Sequence, residues 1–374
     1  MPGPFPFDPR PFCVAVPAVD RADLRLRLHA TRWPTDVGNE DWRYAAQSRL
    51  NELEQYIVEI DDVPVHYGVV RSTTEHRVPV ILTHGWPWTS WDWYDVAQRL
   101  ADPGAYGIDS RVSCDVVIPS LPGYAFSTPL PRGGITGRTI AGLWHTLMVD
   151  VLGHGAFVAA GADWGATVTS ELANLHPETV RAIWLGFPRV PGLDPRALTA
   201  EDFTGDESWM WRRMSEIGPK IQSHNSVARH EPQTLAYALN DSPAGLAAWL
   251  WARRHDWSED PERVVGAPER DRLCTIASIY WFTQSIGSSL RLYLEHFGAG
   301  VPGPAVVRTP TVTVPTAYAA FAHDLLFAPR HVMTRHADLR RFTMHEQGGH
   351  FAPAERPDLV AGDILAFLGD LEPL

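Results

Sequence analysis

From Tyr56 onward the chain carries short, uninterrupted apolar runs: Val78 to Leu82, Val116 to Ile118, Phe157 to Ala160 and Ala182 to Leu185. Runs of this length without polar alternation suit strands buried on both faces, the condition of a parallel sheet. Ahead of them, Tyr56 to Glu59 and Val63 to Val70 read as two strands around a turn at Asp61-Asp62. Stretches with helical spacing, such as Ile140 to Leu152 and Thr167 to His176, fall between the strands. Strands alternating with helices imply βαβ units and a doubly wound, mostly parallel sheet.

After Pro191 the strand pattern stops, and Ser208 to Ile217, Pro232 to Ala252 and Leu273 to Phe297 are expected to be helical. Strands resume at Thr311 to Val314 and Phe342 to Met344, and Leu359 to Leu368 closes the chain as a helix. The N-terminal part offers one helical pattern from Ala22 to Ala30 and a second around Trp42 to Leu53. The division expected is an N-terminal segment (1–55), a first part of an α/β core (56–195), an inserted helical cap (196–300) and a second part of the core (301–374). Insertions at the carboxyl ends of strands are where such folds place their sites.

Composition narrows the functional classes. With 45% hydrophobic and 20% charged residues the 374-residue chain can bury a large core. A formal net charge of −12 repels phosphate and argues against nucleic acid or an anionic membrane as partner. Cys13, Cys114 and Cys274 are too few and too scattered for a disulfide framework or a zinc site, so no metal is expected. No stretch approaches the ~20 apolar residues that span a bilayer, and the N-terminus lacks the features of a signal peptide, so the cytoplasm is the expected compartment. The 15 tryptophans suggest an aromatic-lined cavity in addition to core packing.

The chemistry concentrates at Gly161-Ala162-Asp163-Trp164-Gly165, which follows an apolar strand and precedes a helix. This is the context of a nucleophile elbow, Gly-x-Nu-x-Gly, with Asp where Ser is usual. Alone, the pentapeptide also fits an ordinary turn, because Asp and Gly both favour turns; its position decides for the elbow. A carboxylate nucleophile restricts the reaction. Attack on an ester would give an unfavourable anhydride, whereas attack on saturated carbon gives an ester that water can cleave. An epoxide oxygen or a halide is the leaving group such a site would expel.

Ester cleavage needs a general base. His350, in Gln347-Gly348-Gly349-His350-Phe351, lies between the last expected strand and the final helix, where this fold keeps its histidine. Asp324 follows an expected strand and precedes His350 by 26 positions, which suits the orienting acid; Glu346 is a rival too close in sequence to reach back. The loop His84-Gly85-Trp86-Pro87 follows an early strand, and the backbone N–H groups of Trp86 and Trp164 are expected to form the oxyanion hole.

Beyond these local patterns the chain resembles the microsomal-type epoxide hydrolases over most of its length. The similarity is carried by Pro11-Phe12 and Leu28 to Pro34, by His84 to Pro87, Pro119 to Tyr124 and Gly161 to Gly165, and in the cap by Ala238 to Pro243, Tyr280-Trp281 and Ser288 to Tyr293. Gly348-Gly349-His350-Phe351 completes it. The resemblance implies an α/β-hydrolase fold with an N-terminal meander, conversion of an epoxide to a vicinal diol without cofactor, and Asp163, His350 and Asp324 as nucleophile, base and acid. It also implies that Tyr293 polarises the epoxide oxygen. A second tyrosine is expected upstream of Pro232, where this chain has His224, so His224 is a candidate second donor. The N-terminal wrap is shorter than in the family, by a stretch before Trp42, and the membrane anchor of some members is absent. The expected partner is a small epoxide with an apolar or aromatic body, and a homodimer is the candidate assembly. Two alternatives stay open: a haloalkane or haloacid dehalogenase with the Trp164 indole as halide ligand, and a biosynthetic cyclase or other non-hydrolytic use of the scaffold.

Overall fold

A computed structural model describes residues 8–31, 53–72, 74, 77–264, 266–298 and 302–371. Nine described strands form one sheet: β1 (Arg10–Pro11), β2 (Glu54–Ile60), β3 (Val63–Val70), β4 (Arg77–Thr83), β5 (Ser113–Pro119), β6 (Phe157–Gly161), β7 (Val180–Leu185), β8 (Val312–His323) and β9 (Ala337–Gly349). Their spatial order is β1-β2-β3-β5-β4-β6-β7-β8-β9, antiparallel from β1 to β5 and parallel from β5 to β9. The β2–β3 hairpin turns at Asp61 and Asp62, both with positive φ (50° and 66°), the backbone a tight two-residue hairpin requires and that Asp tolerates. The apolar runs become the central strands because each is covered on both faces. After β5 the order reverses. Right-handed crossovers therefore put the helix Tyr94–Ala101 on one face and the helices Gly137–Thr146 and Trp164–Leu175 on the other. Large rings fill the layers: Trp93, Trp144 and Trp184 are wholly buried and donate to the Thr83 carbonyl, the Thr83 hydroxyl and the Asp363 carboxylate. These tryptophans serve the core rather than a cavity.

Between β7 and β8 lie five long helices, Ser208–His230, Pro232–Asp241, Pro243–Trp257, Ala267–Thr283 and Ile286–Phe297. The helical runs expected from the sequence break and extend differently. Pro232 to Ala252 divides at Ser242, which leaves helical geometry and caps the next helix through its hydroxyl. Leu273 to Phe297 divides at Gln284, held left-handed at φ 52°. Ser208 to Ile217 continues to His230 through Pro219, because Met214, Ile217, Ile221, His224 and Ala228 keep one buried stripe that outweighs the lost backbone bond. The last two strands are much longer than Thr311 to Val314 and Phe342 to Met344. Thr316 interrupts the apolar run of β8, and β9, an outer strand, leaves ten of its thirteen positions partly or fully exposed. In the N-terminal part the helix spans Ala18–His29, somewhat longer than Ala22 to Ala30. The helical stretch expected around Trp42 lies outside the described residues, Leu53 excepted. No described helix is long and apolar enough to cross a membrane.

The helical insertion is fastened to the sheet by buried polar bonds. Arg254 donates to Asp92 at 2.6 Å with both side chains buried and its guanidinium 3.9 Å over the Phe351 ring. Tyr280 donates to the Trp88 carbonyl (2.9 Å), Tyr124 to the Ser289 carbonyl (3.0 Å), and the His350 amide to the Trp257 carbonyl (2.9 Å). Removing one member of a buried ion pair strands the other charge. Arg254→Ala is expected to lower unfolding free energy by about 3 to 5 kcal/mol in chemical denaturation, and Arg254→Met with Asp92→Leu to recover much of it. A loss below about 1 kcal/mol for Arg254→Ala would mean that solvent reaches Asp92.

Candidate active site

Thr83 at the end of β4 pairs with Gly161 at the end of β6. The two loops that follow therefore rise side by side from the same edge of the sheet. In one of them Asp163 adopts φ 53° and ψ −121°, a backbone conformation that costs about 1 to 3 kcal/mol for a residue with a side chain. Surrounding contacts impose it. A Cβ on Gly165 would stand 1.9 Å from the Thr83 carbonyl oxygen, so only glycine lets the new helix lie against β4. In the other loop, a Cβ on Gly85 would stand 2.5 Å from the Asp163 side chain. The motif around Asp163 was readable from the sequence; the equal need for glycine at position 85 was not, because it depends on two loops meeting.

The Trp86 N–H donates to Asp163 Oδ1 at 2.8 Å, and the Trp164 N–H also bonds this carboxylate. Burial alone would raise the Asp163 carboxyl. Neighbouring His350 and these two N–H groups outweigh it and hold the group below its ordinary value. His84, beside this loop, is structural. Its Nδ1 donates to the Gly85 carbonyl (2.9 Å) and its Nε2 accepts from the Leu121 N–H (3.0 Å), while burial lowers it to about 4 and keeps it neutral.

Sheet register brings in the other two groups. His323 on β8 stands opposite Gly349 on β9, so the next residues, Asp324 and His350, emerge together. His350 Nδ1 lies 2.8 Å from Asp324 Oδ1, which also accepts from the Leu325 N–H at 2.7 Å. Glu346 is exposed on β9. His350 Nε2 faces Asp163 Oδ2 at 3.6 Å, too long for a hydrogen bond but close enough for charge to act. Burial pulls the imidazole down, yet Asp324 and Asp163 push it up to about 9. Burial raises Asp324, and the imidazole offsets this only in part. Arg213, which the sequence gave no reason to single out, donates from the long helix to the carbonyls of His323 (2.9 Å) and Asp324 (3.2 Å), fixing the acid's loop.

Over Asp163 stand Tyr293 and His224, on different helices of the insertion. The buried Tyr293 ring is edge-on to Trp164 at 4.9 Å and to His224 at 5.7 Å. Burial and the Asp163 charge push its phenol well up, so it carries its proton at neutral pH, and its hydrogen-bonding neighbour is the Trp164 side chain. His224, 5% exposed, stacks on Trp86 at 5.2 Å with the rings 4° from parallel. The Asn225 amide donates to its Nε2 at 3.2 Å, which leaves the proton on Nδ1, and Nδ1 has no partner among the described residues. Burial lowers His224 to about 3, so the ring is neutral. Asp163, Trp164, Phe187, Arg189, His224 and Tyr293 share the lining of one small cavity of about 30 Å³. The cap aromatics Trp249, Trp251, Trp281 and Phe282 do not line it.

A pocketed carboxylate, an imidazole between two acids and a protonated phenol suit displacement at carbon followed by hydrolysis. Residues 9–93 match the family described as epoxide hydrolase N terminus, and residues 78–357 match the alpha/beta hydrolase fold family. A putative epoxide hydrolase of Stigmatella aurantiaca is 32% identical over 376 residues, covering 95% of this chain and 83% of that protein. Epoxide hydrolase 1 of Sus scrofa is 30% identical, covering 89% and 77%. The crystal structure of juvenile hormone epoxide hydrolase from the silkworm Bombyx mori superposes with a TM-score of 0.82 at 21% identity, over 97% of this chain and 94% of that one, which is a likeness of fold. The chain belongs to the epoxide hydrolase family and is built on the α/β-hydrolase fold.

Proposed function

We propose that the protein adds water to an epoxide through an ester on Asp163. The observation that carries this reading is the Asp163 carboxylate on its strained turn, facing His350 at 3.6 Å and sharing a cavity with the protonated Tyr293 phenol. An Asp163 oxygen attacks one epoxide carbon as its C–O bond breaks. The departing oxygen takes the Tyr293 proton, while the neutral His224 Nδ1–H donates a hydrogen bond. His350, oriented by Asp324, first gives its resting proton to the Tyr293 phenolate and then takes one from water, and the hydroxide adds to the ester carbonyl. The Trp86 and Trp164 N–H groups, already aimed at this carboxylate, hold the oxyanion. Collapse releases the vicinal diol and regenerates the Asp163 carboxylate, with His350 again the cation of the resting site. The sum is one epoxide and one water giving one diol.

Electrostatics time the two steps. In the resting site the imidazole sits between two carboxylates, which lift it to about 9 and favour its cation. Ester formation cancels the Asp163 charge. His350 then holds its proton less tightly and becomes a competent base near neutral pH. Against a dehalogenase, the Trp164 side chain is engaged with the Tyr293 phenol rather than free for a halide. Trp86 and Trp257, both packed on His224, and Phe187 in the lining support a substrate with an apolar or aromatic body. The three cysteines are unpaired, which supports cytoplasmic residence.

Three tests follow from these roles. With styrene oxide, His350→Gln should accumulate an adduct of the epoxide's mass on the peptide containing Asp163, while diol formation falls by about 10²-fold or more. Diol formation without any adduct would refute covalent catalysis, and halide release from a haloalkane without diol from epoxides would favour the dehalogenase. In Asp163→Asn the His350 imidazole should titrate well below about 9 by NMR, because one of its anions is gone; a titration left near that value would disprove the coupling. Tyr293→Phe and His224→Leu should each slow adduct formation, by about 10²-fold for the proton donor and less for the hydrogen-bond donor. Full activity of His224→Leu would remove His224 from the mechanism.

A further inference from the structure

The cavity beside Asp163 is also lined by two arginines, the half-buried Arg189 and the exposed Arg196. Neither side chain makes a hydrogen bond or ion pair among the described residues. Rings, rather than carboxylates, hold Arg189: its Cζ lies 5.8 Å from the Phe187 centroid and 5.4 Å from that of Phe297. On the same Phe297 ring lies a third cation, Arg229, at 5.2 Å, with one N–H on the Phe297 carbonyl. The anions whose charge reaches Arg189 and Arg196 are Asp163 and Asp194. Asp163 is committed to the Trp86 and Trp164 N–H groups and to His350. Asp194 lies near in sequence, and its Oδ1 caps the Arg196 backbone N–H at 3.1 Å. Burial and mutual repulsion lower Arg189 to about 10, the sign of a cation without enough counter-charge.

Packing accounts for the stem of Arg189, since a long side chain covers apolar rings well. It does not account for the unpaired head of the half-buried Arg189, beside the exposed Arg196 on the same cavity, in a chain with 44 acidic and 32 basic residues, where carboxylates are in surplus. A partly desolvated charge is costly unless something pairs with it. A planar guanidinium matches a carboxylate with two parallel hydrogen bonds.

We propose that Arg189 and Arg196 form a subsite for a carboxylate on the substrate, so that the epoxide opened at Asp163 belongs to an acid with an apolar or aromatic body. This rests on the epoxide-hydrolase reading and specifies its substrate class. The test uses two acids of different reach, 4-(oxiran-2-yl)benzoate and 10,11-epoxyundecanoate, each against its methyl ester. For at least one pair, kcat/KM of wild type should favour the acid by about tenfold or more, chiefly through KM, and rising ionic strength should erode the preference. Arg189→Gln and Arg196→Gln should each cut the acid-to-ester ratio by about tenfold, and Arg189→Lys should restore part of it. Thermal unfolding verifies that the variants are folded. Esters turned over as well as acids by wild type, with a ratio unmoved in Arg189→Gln, would overturn the proposal while leaving epoxide hydrolysis intact. If none of the four epoxides is opened, the underlying chemistry fails. The subsite is then decided by calorimetry with 4-ethylbenzoate and its methyl ester: tighter binding of the acid, lost in Arg189→Gln, supports it, and equal binding overturns it.

Discussion

Everything the site can do depends on one carboxylate kept ionised in a place where burial would protonate it. Two backbone N–H groups and an imidazole supply what water no longer does for Asp163. Each is delivered by a different part of the chain: the loop after β4, the first turn of the helix after β6, and the end of β9. The strained backbone at Asp163 is maintained by the same convergence, since the helix behind it is seated directly against Thr83. A single arrangement thus fixes the direction of the Asp163 carboxylate, its charge and the two N–H groups that, in the proposed reaction, later hold the oxyanion.

The histidine is governed by the same electrostatics from the other side. Two carboxylates flank it at 2.8 and 3.6 Å, and in the proposed reaction only the nearer keeps its charge once the ester forms. The change in basicity needed between the two steps therefore requires no movement, only the consumption of one negative charge. The helical insertion completes the chamber. Its buried attachments at Asp92, Trp88 and Trp257 fix the height of Tyr293 and His224 above the sheet. In the proposed reaction it contributes donors to the leaving oxygen, while the core contributes the groups that act on carbon.

How much could be read along the chain varied from element to element. The strands Val78 to Leu82 and Phe157 to Ala160 were legible because burial on both faces removes polar residues altogether. The strand Ala337–Gly349 was mostly illegible because an outer strand leaves most of its positions at least partly exposed and so mixes polar with apolar residues. The expected helix Ser208 to Ile217 in fact continues through Pro219 to His230, since buried contacts along one stripe outweigh the single backbone bond that proline removes. The tryptophans suggested a cavity, yet most of the wholly buried ones are layered beneath and beside the sheet.

The sequence by itself pointed to the kind of chemistry proposed: Gly161 to Gly165 after an apolar strand suggests a carboxylate nucleophile, and the order Asp163, Asp324, His350 suggests its partners. Such information is local, carried by residue type and spacing. What only the tertiary structure decided were relations between distant segments. These are the register of His323 with Gly349 that sets Asp324 beside His350, the stacking of His224 on Trp86 with its Nδ1–H left unpartnered, and the convergence of Arg189 and Arg196 on one cavity. Charge and hydrogen bonding act over a few ångströms of space. Their outcome is therefore set by which side chains the fold brings together, and residues tens or hundreds of positions apart do not reveal that in one dimension.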